Sequence, residues 1–78
     1  MTGLQIFGER LREVRMRHAL TQNDLARELG VNRDCILKWE NNQRFPRVEQ
    51  LKSLCSRLSV SADWLLGFSD VRDLIKVG

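Results

Sequence analysis

The side chains best suited to chemistry in this chain are Arg33, Asp34 and Lys38, which fall within six consecutive residues. A guanidinium donates two parallel hydrogen bonds to a pair of acceptors on a carboxylate, a phosphate or a purine edge. Asp34 and Lys38 are four residues apart, so on a helix they can also bind each other. Asp34 thus has two interpretations, as an acceptor for an external donor or as the partner of Lys38. In both interpretations Asp34 acts through hydrogen bonds and charge.

The sequence has no group of residues with the types and spacing needed for catalysis or metal binding. His18 is the only histidine, no glycine-rich phosphate loop precedes a lysine, and no serine has a nucleophile context. Cys35 and Cys55 lack the spacing of a zinc site and are too few for a disulfide framework. We expect both cysteines to be reduced and packed. The sequence indicates no enzyme, no metal and no cofactor.

The charged stretch lies in one of five predicted helices. Phe7, Leu11 and Val14 recur at helical spacing and predict the first helix. Similar apolar patterns follow, and no stretch alternates with period two long enough to form a strand. The predicted helices cover residues 5–18, 22–29, 33–41, 48–58 and 62–66. The predicted fold class is therefore all-α.

Helix starts are marked by residues that cap them. Thr21 and Asp24 form the S/T-x-x-D/E pattern of a capping box before the second helix. Asn32 and Ser61 occupy the N-cap positions of the third and fifth helices. Gly67 ends the fifth helix.

The second and third helices are joined by a very short turn. Ala26 leaves room for the crossing helix, Gly30 supplies the positive φ of a tight turn, and Ile36 fills the angle between the two helices. Two short helices that cross over such a turn form a helix-turn-helix, whose second helix enters the DNA major groove in proteins that bind DNA.

The length and charge of the chain are compatible with DNA binding. The chain has 78 residues and a net charge of +3, which suits one small domain. Residues 1–47 contain nine Lys/Arg and six Asp/Glu, whereas residues 48–78 contain four of each, so the positive excess lies in the first half. A basic half favours a polyanionic partner. No apolar run is long enough to span a membrane, and we expect a cytoplasmic protein.

Over residues 4–67 the sequence resembles the Cro and phage-repressor helix-turn-helix family, which has a five-helix, lambda-repressor-like domain. The matching motifs are Leu11-Arg12-Glu13-Val14-Arg15, Thr21-Gln22 with Leu25-Ala26, Leu29-Gly30-Val31, Ile36 with Trp39-Glu40-Asn41, Arg44, Pro46 and Val60-Ser61-Ala62-Asp63-Trp64-Leu65-Leu66-Gly67. The resemblance implies one DNA-binding domain over residues 1–67 and a C-terminal extension over residues 68–78.

The resemblance also implies roles for individual residues. Base-reading residues would be Arg33, Asp34, Leu37 and Lys38. Phosphate-binding residues would be Gln22, Asn23, Asn41, Gln43, Arg44 and Arg47. Arg15 and Glu40 would form a structural ion pair between the first and third helices.

Three positions depart from the family pattern. Ala19, Asn42 and Ser59 stand where the family usually has glycine at a helix end. Asparagine tolerates left-handed backbone well, whereas alanine and serine there would be strained by roughly 1 kcal/mol.

The C-terminal extension has three interpretations. On a short helix Val71, Leu74 and Ile75 would share one apolar face. That face packs on its own domain, forms a two-fold dimer contact together with Phe68, or belongs to a frayed tail.

The expected function is that of a phage, prophage or bacterial repressor that binds a palindromic double-stranded DNA operator as a homodimer. The alternative is a protein-interaction module, such as an antitoxin or a partner of an antirepressor, with secondary DNA binding. Arg33, Lys38 and Arg44 favour DNA, because a module that only binds protein does not need these cations on one face.

Overall fold

The structure is a computed structural model that describes residues 3–72, with side chains from residue 6 onward. Its regular elements are all helices: α1 (Gly3–Arg17), α2 (Gln22–Leu29), α3 (Arg33–Glu40), α4 (Val48–Leu58) and α5 (Ala62–Leu66). The predicted all-α, five-helix fold is confirmed. α2, α4 and α5 have the predicted bounds, α1 begins two residues and ends one residue before its predicted bounds, and α3 ends one residue before its predicted end. Within the described part of the chain, no helix has the length and apolarity needed to cross a bilayer.

One apolar core joins the helices. Its fully buried side chains are Phe7, Leu11, Leu25, Ile36, Leu54, Leu58, Val60 and Leu65. Phe45 in the loop between α3 and α4 is 44% exposed, and its ring lies 5.0 Å from that of the buried Phe7, centroid to centroid. Val48 is 82% exposed although it begins the apolar pattern of α4. The core therefore fixes the inner faces of α1 and α3 against each other.

The helix caps are confirmed by their hydrogen bonds. The Thr21 hydroxyl accepts from the Asp24 N–H at 3.0 Å, and the Thr21 N–H donates to the Asp24 carboxylate at 2.9 Å. The backbone N–H and side chain of Thr21, with the charge of Arg27, lower the pKa of Asp24. Asn32 and Ser61 accept from N–H groups in the first turns of α3 and α5, each at 3.0 Å.

All three positions predicted to be left-handed have positive φ. The angles are 55° at Ala19, 60° at Asn42 and 56° at Ser59. Asn42 also has a tertiary role, because its side-chain oxygen accepts from the N–H of Gly8 in α1 at 2.9 Å. The asparagine therefore both tolerates the turn and holds the end of α3 to α1.

Polar contacts at the surface also join the helices. Arg57 in α4 forms an ion pair with Glu28 in α2, and its hydrogen bond lowers the pKa of Glu28. The ring Nε2 of His18, just after α1, lies 2.9 Å from the carbonyl oxygen of Leu58 at the end of α4.

The extension does not continue as a helix over residues 68–72. Its backbone carbonyls bind the domain instead of forming helical hydrogen bonds. Ser61 donates from its N–H to the carbonyl of Arg72 at 2.9 Å and from its hydroxyl to that of Val71 at 3.2 Å. This segment packs on its own domain, which was one of the three interpretations.

Arg10 in α1 holds the same segment. Its guanidinium donates to the carbonyls of Trp64 at 2.5 Å and Ser69 at 2.9 Å, and it lies over the Trp64 ring at 4.9 Å. Phe68 remains 81% exposed and Val71 55% exposed. Leu74 and Ile75 lie outside the described residues.

Candidate nucleic-acid interface

α3 has one face in the core and one in solvent. Ile36 and Trp39 are buried, whereas Arg33 and Asp34 in the first turn are exposed and Leu37 is 37% exposed. The Asn32 cap fixes where the helix begins. The predicted base-reading side chains therefore stand on the outer face of a helix whose inner face is locked by packing.

Asp34 and Lys38 bind each other on that outer face. The Lys38 ammonium lies 3.2 Å from the Asp34 carboxylate, and both side chains are substantially exposed. An exposed pair of this kind contributes about 0.3–0.5 kcal/mol, so either partner can exchange it for another hydrogen bond at little cost. The intrahelical bridge predicted as one interpretation is present, and it leaves both groups accessible.

Arg15 and Glu40 form an ion pair between α1 and the last residue of α3. Arg15 Nε lies 2.5 Å and Nη2 3.2 Å from the two carboxylate oxygens, and the Glu40 side chain is only 3% exposed. The remaining Nη1 of Arg15 donates to the carbonyl of Leu20 at 2.7 Å. The arginine thus joins α1, the turn before α2 and the end of α3. This arrangement holds the end of α3 against α1.

Gln22, the first residue of α2, belongs to the same cluster. Its Nε2 donates to Glu40 Oε1 at 3.1 Å, and the residue is half-buried. Sequence patterns gave no indication of this bond. An amide nitrogen carries two hydrogens, so the bond to Glu40 leaves one donor for an external acceptor.

A groove of about 650 Å³ runs between α1 and the outer face of α3. It is lined by three of the residues predicted to contact DNA, Gln22, Leu37 and Asn41, and by the ion-paired Arg15 and Glu40. It also includes Arg12 and Met16 of α1, which sequence reasoning did not select. Met16 is 61% exposed, and Arg12 is exposed as well.

The other predicted phosphate-binding residues lie at the surface outside this groove. Asn23, Gln43, Arg44 and Arg47 all have exposed positions. The N–H of Gln43 donates to the Lys38 carbonyl at 2.9 Å, and that of Arg47 donates to Gln50 Oε1 at 2.8 Å. Gln43, Arg44 and Arg47 extend the polar surface beyond the end of α3, whereas Asn23 lies in the first turn of α2.

No metal centre competes with this interpretation in the part of the chain that the structure describes. There, no three His, Cys, Asp or Glu side chains are grouped closely enough to hold a metal ion. Both cysteines are free; Cys35 is half-buried and Cys55 is buried, and burial raises the pKa of the Cys55 thiol.

Gly8 is a structural residue of the site that sequence reasoning did not select. It lies inside α1 against the backbone at the end of α3. A glycine within a helix is unfavourable for the helix itself, which is the one sequence signal of such a close approach.

The arrangement agrees with a comparison against known families. A family profile described as "Helix-turn-helix domain" matches residues 8–67. The chain belongs to the helix-turn-helix family. Within that family it resembles the Cro and phage-repressor group, as the relatives below indicate.

Two curated relatives illustrate the similarity of sequence. The HTH-type transcriptional activator BcrR of Enterococcus faecalis is 42% identical over 60 residues, covering 77% of this chain and 29% of BcrR. Repressor protein C2 of Salmonella phage P22 is 36% identical over 62 residues, covering 80% of this chain and 29% of the repressor. The chain thus spans less than a third of the length of these two relatives.

Two solved structures share the fold. The P22 c2 repressor, crystallised with a synthetic operator, has a TM-score of 0.76 at 33% identity, covering 81% of this chain and 96% of that one. The restriction-modification controller protein C.AhdI of Aeromonas hydrophila has a TM-score of 0.72 at 32% identity, covering 80% and 94%.

Proposed function

We propose that this chain is a sequence-specific double-stranded DNA-binding domain of a transcriptional regulator, with α3 in the major groove and α2 across the backbone above it. The observation that carries the proposal is the division of α3 between a buried inner face and a polar, solvent-exposed outer face. The likeness to a repressor crystallised with a synthetic operator supports DNA binding.

In this proposal the first turn of α3 reads bases. Arg33 donates two hydrogen bonds to O6 and N7 of a guanine, an interaction worth about 1–3 kcal/mol of discrimination. Asp34 and Lys38 exchange their mutual ion pair for groups on the DNA, and Leu37 contacts a thymine methyl.

Affinity that does not depend on sequence comes from the surrounding polar residues. At the start of α2, Gln22 and Asn23 present donors where the helix dipole also favours a phosphate. Beyond α3, Asn41, Gln43, Arg44 and Arg47 face the sugar-phosphate backbone. The Arg15–Glu40 pair acts on DNA binding through the position of α3.

We infer that the protein binds a palindromic operator as a homodimer. A single domain of this size makes too few base contacts for useful specificity at physiological salt, and two-fold symmetry doubles them. Phe68 and Val71 are exposed at the start of the extension, and they are proposed to contact a second copy together with Leu74 and Ile75.

Repression is the proposed outcome, by occlusion of RNA polymerase in the cytoplasm of a bacterium. The similarity to a phage repressor supports this sign of regulation. Because the chain is also similar to an activator, repression and activation need to be distinguished by experiment. Expression of a reporter gene controlled by the selected operator would do this.

The DNA-binding proposal is tested by selecting bound sites from randomised duplex DNA at about 150 mM salt, where non-specific electrostatic binding is weak. We expect enrichment of an inverted repeat with half-sites about 10 base pairs apart, centre to centre. A folded protein that enriches no motif would overturn the proposal and favour a protein-binding module, with an antirepressor or toxin as partner.

A further inference from the structure

Arg12 supplies the net charge of the groove between α1 and α3. Three charged residues line that groove, and two of them, Arg15 and Glu40, neutralise each other as a buried ion pair. Arg12 is exposed and forms no ion pair with any side chain in residues 6–72. The groove therefore presents one uncompensated positive charge.

Polar groups beside Arg12 suit an anion with several acceptor oxygens. Gln22 keeps one amide hydrogen after its bond to Glu40, and Asn41 lies at the exposed end of α3. Both line the same groove as Arg12. A guanidinium with neighbouring amide donors matches the oxygens of a phosphate group.

The groove is also continuous with the proposed DNA-binding surface. Leu37 belongs both to its lining and to the outer face of α3, and Gln22 begins α2. A DNA strand that follows the start of α2 and the outer face of α3 therefore passes the mouth of the groove. No acidic side chain other than the neutralised Glu40 lines it to repel a phosphate.

We propose that α1 takes part in DNA binding, with Arg12 binding a phosphodiester of the operator at this groove and Gln22, oriented by Glu40, donating to the same phosphate. This inference rests on the proposed function. It extends the interface from the helix-turn-helix to α1, which in the proposed function serves only to position α3.

The test compares Arg12→Gln with Arg17→Gln, two variants that remove one positive charge from the same helix. Arg17 is exposed, pairs at 3.8 Å with Glu13, and does not line the groove. The two arginines are five positions apart, which places them about 140° apart around the helix. Arg12→Lys serves as the conservative variant, and thermal unfolding checks that all variants are folded.

Affinity for the selected operator is measured as a function of salt. We expect Arg12→Gln to reduce the slope of log K against log salt by about 0.9 for each bound copy, with a several-fold loss of affinity. Arg17→Gln should leave the slope unchanged, and Arg12→Lys should restore most of it. The selected base sequence should be the same for all four proteins.

Equal slopes for Arg12→Gln and Arg17→Gln would overturn the inference while leaving the DNA-binding proposal intact. A wild-type protein that binds no DNA would overturn both. The two failures are therefore distinguishable in one titration series.

Discussion

The backbone oxygen of Glu40 lies directly against Gly8, so close that a Cβ atom at position 8 would be 2.2 Å from it. The side chain of Asn42 would lie 2.8 Å from the same Cβ. α1 and the end of α3 therefore approach at a distance that only glycine permits. Glu40 also forms the buried ion pair with Arg15, so both contacts hold the end of α3 against α1.

Gly8→Ala is expected to lower the free energy of unfolding by about 2 kcal/mol, because α1 and α3 must separate to admit the methyl group. Alanine favours the helix itself, so a loss of stability isolates the tertiary clash. Chemical denaturation measures it. Glu9→Ala, at the exposed neighbouring position, should change stability by less than about 0.5 kcal/mol. A Gly8→Ala protein as stable as Glu9→Ala would contradict the close contact.

Ala19→Gly is expected to stabilise the protein by about 1 kcal/mol, because Ala19 has a φ of 55° that glycine adopts without strain. For a domain of this size that corresponds to a rise in Tm of about 4–8 °C.

Asn42→Gly is the matched comparison, since Asn42 has a φ of 60° but also accepts the hydrogen bond from Gly8. Its replacement should lower stability by about 1 kcal/mol. If both substitutions raised Tm, the tertiary role of Asn42 would be refuted, and if both lowered it, the strain at Ala19 would be refuted.

Features that depend on neighbouring residues could be predicted from sequence. The Thr21–Asp24 box and the caps at Asn32 and Ser61 follow from side chains that bind the backbone within three residues. The positive φ at Ala19 followed from its place at a helix end in the family pattern.

Contacts between distant segments could not be predicted in this way. The bond from Gln22 to Glu40 and that from Arg10 to Ser69 join residues 18 and 59 positions apart. Nothing in the local sequence of either partner encodes them, because they form only after the helices pack. The extension is another example. Its sequence pattern predicts a helix that includes Val71, whereas the carbonyl of Val71 accepts a hydrogen bond from the Ser61 hydroxyl.

Removal of one partner of the buried ion pair is expected to be costly. Arg15→Met or Glu40→Gln should lower the free energy of unfolding by about 3–5 kcal/mol, because each leaves a buried charge without its partner. The double variant Arg15→Met/Glu40→Gln should lose less than the sum of the two single changes. Urea denaturation of the four proteins measures this coupling, and additive losses would mean that the pair contributes nothing as a pair.

The capping box predicts a specific dependence of stability on pH. Because Thr21 lowers the pKa of Asp24 below its ordinary value of 3.8, the ionised carboxylate stabilises the folded state fully above that value. The contribution is lost as pH falls through the lower folded pKa.

Asp24→Asn does not titrate, so the stability gap between it and the wild type should be constant near neutral pH and close as the solution is acidified below about pH 4. Denaturation at a series of pH values measures the gap. A gap that stays the same down to pH 2 would argue against the lowered pKa.

Arg44→Ala is expected to weaken binding to all DNA sequences alike, because Arg44 is exposed beyond α3 and is proposed to contact only phosphate. The slope of log K against log salt should fall by about 0.9 per copy. Titrations with the operator and with an unrelated duplex measure both effects. Loss of affinity for the operator alone would assign Arg44 to base recognition instead.

The most direct test of the account is a parallel site selection with the wild type and Arg33→Ala. Arg33 is exposed in the first turn of α3, so its removal should leave fold and half-site spacing unchanged. The account predicts that both proteins enrich the same inverted repeat and that Arg33→Ala loses preference at one base pair in each half-site. If Arg33→Ala enriched the same motif as the wild type, with the same base preference at every position, base recognition by the outer face of α3 would be contradicted.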